Sequence, residues 1–123
     1  MSLNILLVED DKALREALVD TLELQGYHCQ QADCGEAAIA CLQSYKADVV
    51  LTDINMPGIS GYELFEFLQQ NKPELPVILM TAFGDVKKAV EVVRQGALDY
   101  LLKPVNVSQL HCLLEKLESN EVM

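Results

Sequence analysis

The chain has 123 residues, half of them hydrophobic, a size that suits one domain over residues 1–123 with a full apolar core. Nine Lys and Arg against 19 Asp and Glu give a formal charge of −10, which argues against direct contact with DNA or RNA. Every apolar run falls short of the roughly 20 residues of a membrane span, and no basic region precedes the first of them, so the composition reads as soluble and cytoplasmic, without a membrane partner.

Ile5 to Val8 is continuously apolar, the mark of a strand covered on both faces. It runs straight into three acids, Glu9, Asp10 and Asp11. Leu14, Ala17, Leu18, Thr21 and Leu22 then recur at helical spacing, with Asp11 placed as the cap and Gly26 as the stop. Tyr27 to Ala32 reads as a more polar edge strand, and Glu36 to Gln43 as a short helix. Ala47 to Thr52 is a third strand, apolar throughout, that ends at Asp53 and is followed by a Pro57-Gly58 turn. Gly61 to Gln70 is helical in pattern and is closed by Pro73. Pro76 to Met80 is the fourth strand, with Thr81 at its end. Val86, Ala89, Val90 and Val93 give the next helical stripe, closed at Gly96. Ala97 to Leu102 is the fifth strand, ending at Lys103-Pro104, and the last helix shows Leu110, Leu113, Leu114 and Leu117 on one face. The four cysteines, Cys29, Cys34, Cys41 and Cys112, form no C-x-x-C pair and read as reduced, mostly buried small hydrophobes.

Strict alternation of strand and helix implies an α/β fold: a flavodoxin-like, doubly wound, five-stranded parallel sheet of order 2-1-3-4-5 with five helices. In that order the first and third strands are neighbours where the winding reverses, and ligands bind outside the carboxyl ends of strands at that place. Glu9, Asp10 and Asp53 land there, with Thr81 and Lys103 on the same edge. Close carboxylates raise one another's pKa unless a cation offsets the repulsion, so the pattern asks for a metal. Magnesium takes oxygen ligands and keeps several waters, which suits Glu9 through water, Asp10, Asp53 and the backbone carbonyl of Asn55. A carboxylate such as Asp53 can also act as a nucleophile and form an aspartyl-phosphate. The Lys103 ammonium and the Thr81 hydroxyl would then offset the charge of a phosphoryl group.

Two other functions fit the topology less well. A flavin or nucleotide protein needs Gly, Ser or Thr after the first strand to cradle phosphate, where this chain has acids. A phosphohydrolase with an Asp nucleophile commonly has a second Asp two residues on, where Asn55 stands.

The set L-L-V-E-D-D, L-T-D-I-N-M-P-G-I-S-G, M-T-A and D-Y-L-L-K-P resembles the receiver domain of bacterial two-component response regulators, over essentially the whole chain. The resemblance implies that Asp53 is the phosphoacceptor for a histidine kinase, with Glu9 and Asp10 as the acid pair at the metal. It makes Thr81 the switch hydroxyl, Tyr100 the switch aromatic and Lys103 the phosphate-binding lysine, with a cis Lys103–Pro104 bond. The segment from Thr81 to Pro104 is similar in particular to receivers of the nitrogen-regulator class, which precede ATPase and DNA-binding domains in transcriptional activators. The chain is accordingly expected to be a free-standing receiver or, the favoured reading, one cut from a longer regulator, and to signal to an output domain or protein effector.

The implied switch is a population shift on the face of the fourth helix, fifth strand and fifth helix, with Lys87, Lys88, Glu91, Arg94 and Asp99 among its residues. A homodimer on phosphorylation is expected there. Asn55 and Phe83, two residues after Asp53 and Thr81, are expected to tune the lifetime of the phosphate. The chemistry is expected to be limited to the domain's own phosphorylation and slow dephosphorylation.

Overall fold

Strands that are apolar on both faces can be hidden only between two helical layers, and this is the arrangement found. The computed structural model describes residues 3–122, with the side chains of Phe83 and of residues 120–122 left out. In chain order the elements are β1 Asn4–Val8, α1 Lys12–Leu24, β2 His28–Ala32, α2 Gly35–Leu42, β3 Val49–Asp53, α3 Gly61–Asn71, β4 Val77–Thr81, a 3-10 turn Phe83–Asp85, α4 Val86–Arg94, β5 Asp99–Leu102 and α5 Val107–Val122. All neighbouring strands pair in parallel, in the expected order β2-β1-β3-β4-β5.

The pleat divides each central strand between two cores. Leu6, Val8, Val50 and Leu79 face α2, α3 and α4, where they meet Ala38, Leu64, Phe65, Leu68, Ala89 and Val92. Ile5, Leu7, Leu51, Ile78 and Met80 face α1 and α5, where they meet Leu18, Leu22, Leu110 and Leu114. The edge strand β2 buries only Ala32 fully. The two-sided covering fixes the register, since a slip of one residue would exchange the two cores.

Three expectations need correction. Val90 and Ala17 face solvent, while Val92 and Val19 are buried in their place. The valines of α4 offer two overlapping stripes, and the side that meets β4 and β5 selects the one running through Ala89 and Val92. The cysteines are not mostly buried: Cys29, Cys34 and Cys41 are half-covered and Cys112 is exposed, all as free thiols. Cys29 lies on an edge strand, and the Cys34 sulfur accepts the Ala37 N–H at 3.4 Å at the start of α2.

Candidate functional site

The pairing of Val8 with Thr52 brings the carboxyl ends of β1 and β3 level, so that the residues next along each strand, Glu9 and Asp53, share one edge of the sheet. Asp53 is the last residue of β3 and is 5 % exposed; Glu9 is 1 % exposed. Such burial of two carboxylates requires a counter-charge, and Lys103 supplies it. Its ammonium lies 2.8 Å from Glu9 Oε1 and 3.0 Å from Asp53 Oδ2. The lysine is held there by its own backbone: Lys103 N–H donates to the Thr81 carbonyl at 2.8 Å, and the Lys103–Pro104 bond is cis, as the resemblance implied.

The acids are separated in role as well as in place. Asp11 caps α1 by accepting the Leu14 N–H at 3.1 Å. The Asp11 N–H itself donates to Glu9 Oε2 at 3.1 Å, and the Arg15 guanidinium donates to the Glu9 carbonyl at 2.8 Å and to Gln31 Oε1 at 3.1 Å. Burial raises the pKa of Glu9, and the charge of Asp53 adds to the rise, against the lowering effect of Lys103 and the Asp11 N–H. Burial alone would lower the pKa of Lys103, but its contacts with Glu9 and Asp53 outweigh it and the pKa is raised.

One oxygen from each of Glu9, Asp10 and Asp53 lies within 4.8 Å of the others. Glu9 Oε1 is buried, and its partner is the Lys103 ammonium at 2.8 Å. Two buried carboxylates sharing one ammonium, beside an exposed Asp10, supply the oxygen donors that a hard cation takes. The three residues could therefore hold a metal ion.

The remaining expected residues are less directly joined. Thr81 ends β4, fully buried, and its hydroxyl donates to the Ala82 carbonyl at 3.1 Å. Asn55 N–H reaches Asp53 Oδ1 at 3.4 Å, while its side-chain amide donates to Asp85 Oδ2 at 2.7 Å. Tyr100 is half-buried on β5, opposite Leu79, against the core shared with α3 and α4. The side chain of Phe83 lies outside the described residues. Sequence reasoning missed Arg15 and Asp85. A basic residue one turn into the first helix is a weak signal for the former, and nothing in the local sequence points Asp85 at Asn55.

Residues 5–115 match the family described as response regulator receiver domain. The chain belongs to that family. The response regulator protein FleR of Pseudomonas aeruginosa is 49 % identical over 110 residues, covering 89 % of this chain and 23 % of FleR. The DNA-binding transcriptional regulator NtrC of Salmonella typhimurium is 40 % identical over 109 residues, with the same coverage of each chain. A receiver domain protein from Clostridium thermocellum, known from its crystal structure, superposes with a TM-score of 0.90 at 25 % identity over 100 % of both chains. This receiver domain is thus a phosphorylation-dependent signalling domain of the two-component type, similar to those of nitrogen-regulator-type activators. It spans about a quarter of the length of these curated relatives, 23 % in each case. Among the described residues no helix is long and apolar enough to cross a membrane.

Proposed function

We propose that Asp53 is the phosphoacceptor of this receiver and that it takes its phosphoryl group from a phosphohistidine of a histidine kinase. An Asp53 carboxylate oxygen forms the O–P bond as the P–N bond breaks, and the electron pair leaves with the imidazole nitrogen. The observation that carries this reading is Lys103, whose ammonium sits between Glu9 and Asp53 on the edge where the strand ends converge. A transferring phosphoryl group needs positive charge and positioning more than covalent help, and Lys103 is fixed where it offers both. Magnesium would be held by Glu9, Asp10, Asp53 and the Asn55 backbone carbonyl, and when bound it supplies further positive charge toward the phosphoryl oxygens.

Thr81 and Tyr100 pass the change on. Thr81 gives up the Ala82 carbonyl for a phosphoryl oxygen, and Tyr100 turns toward the space that this opens. The face of α4, β5 and α5 then engages an output domain or effector, or a second copy of the domain, in the cytoplasm and without contact to nucleic acid by this domain. Asn55 and Phe83 set the lifetime of the phosphate, and no external substrate is turned over. The decisive experiment is magnesium-dependent incorporation of phosphate from a small phosphodonor. The native chain is expected to be labelled and Asp53→Asn to be unlabelled. Equal labelling of the two, or none in the native chain, would overturn the assignment.

A further inference from the structure

Four of the five helices begin with a side chain that accepts a first-turn N–H. Asp11, Cys34 and Ser60 do so for α1, α2 and α3, and Asn106 accepts the Gln109 N–H for α5 at 3.1 Å. The start of α4 differs. Asp85 stands at its capping position and belongs to the residue types best suited to the task, yet it makes no side-chain cap. Its backbone, with φ −109° and ψ 10°, follows the 3-10 turn instead of the extended conformation seen at Asp11 and Ser60. The carboxylate is engaged elsewhere, accepting the Asn55 side-chain amide at 2.7 Å from the loop after β3.

A second tie runs from the first turn of α4 to α3. The Lys88 ammonium lies 5.5 Å from the centre of the Tyr62 ring in the first turn of α3, and the Tyr62 hydroxyl is buried without a partner. The start of α4 is thus fastened to the loop that follows Asp53 and to the start of α3, while its own cap is unmade.

We infer that Asp85 is a two-position acceptor, bonded to Asn55 while Asp53 is free and capping α4 once Asp53 is phosphorylated. The inference rests on Asp53 being the phosphoacceptor. A phosphoryl group adds close to two negative charges and three strong acceptor oxygens two residues from Asn55. It competes with Asp85 for the Asn55 amide and repels the Asp85 carboxylate. Asp85 released from Asn55 has the first-turn N–H groups of Lys87 and Lys88 as its capping donors, and reaching them requires its ψ to rotate to the extended value. The start of α4 therefore tightens as the 3-10 turn opens, and the change at the site reaches α4 without passing through Thr81 or Tyr100.

Amide hydrogen exchange at Lys87 and Lys88, read by NMR on the whole chain, tests this. Without any phosphodonor, Asn55→Ala frees Asp85, and exchange at these amides is expected to slow about fivefold relative to the native chain, the protection that one such cap confers. The double variant Asn55→Ala, Asp85→Ala is expected to lose that protection. Unchanged exchange in Asn55→Ala, or protection retained in the double variant, overturns the inference. With magnesium and fluoroberyllate as a phosphoryl mimic, the native chain should gain the same protection and Asp85→Ala should not. Mimic binding is read separately at the Thr81 amide. A shift at Thr81 without protection at Lys87 and Lys88 defeats the coupling, whereas no shift at Thr81 defeats the phosphoacceptor assignment itself.

Discussion

Glu9 is an acid buried beside a second acid and a lysine. Its pKa is raised chiefly by burial, so ionisation opposes folding of the metal-free chain. The sign follows from linkage: Glu9 contributes its stability in full below its ordinary value of 4.5, and that contribution is lost as the pH rises through the raised folded value. Glu9→Gln, which cannot ionise, should therefore unfold in urea at a higher concentration than the native chain near neutrality, with the difference vanishing below pH 4.5. Adding magnesium should reverse the order, because only the native chain keeps the carboxylate. A Glu9→Gln chain less stable than the native one at neutral pH without metal would mean that the contact with Lys103 outweighs the cost of burial.

At the scale of elements, the site depends on how closely α3 approaches the end of β3. Gly61 begins that helix, directly after Ser60, which forms a capping box with Glu63. A Cβ at Gly61 would stand 2.3 Å from the Asp53 carbonyl oxygen and 2.8 Å from the Ile54 Cα, both of them backbone atoms that cannot swing aside. Gly61→Ala should accordingly cost about 3 kcal/mol by overpacking, measured by urea unfolding, and should slow phosphate incorporation because Asp53 is displaced. Ser60→Ala, which removes only the cap, should cost about 1 kcal/mol and leave incorporation nearly unchanged. The hydrophobic periodicity placed α3 correctly but could not distinguish a glycine that starts a helix from one required by a neighbouring strand.

For the whole molecule, the opposite ends of the signal lie on different elements: the acids at β1 and β3, and the expected partner face at α4, β5 and α5. Val90, Leu98 and Leu102, between 38 and 40 % exposed, give α4, β5 and their connection an apolar surface among the exposed Lys87, Glu91 and Arg94. Sedimentation with and without a phosphoryl mimic should show a rise in average mass for the native chain. Leu102→Asp should reduce that rise at least threefold. An equal mass in both conditions would exclude a dimer driven by phosphorylation.

The sequence by itself determined the order of the elements and which acids, threonine and lysine share one edge of the sheet. Unbroken apolar strands admit only a two-sided sheet, and acids, a threonine and a lysine at successive strand ends can converge only on one edge of it. Asp11 was legible as a cap because capping is a local matter of three residues. Tertiary structure decided what depends on distance through space: the bridging of Glu9 and Asp53 by one ammonium, the bracing of the Glu9 carbonyl by Arg15, the choice of Val92 over Val90, and the diversion of Asp85 from its own helix to Asn55, 30 residues away. Each of these sets a local preference against a distant partner, and only the packed chain settles which prevails.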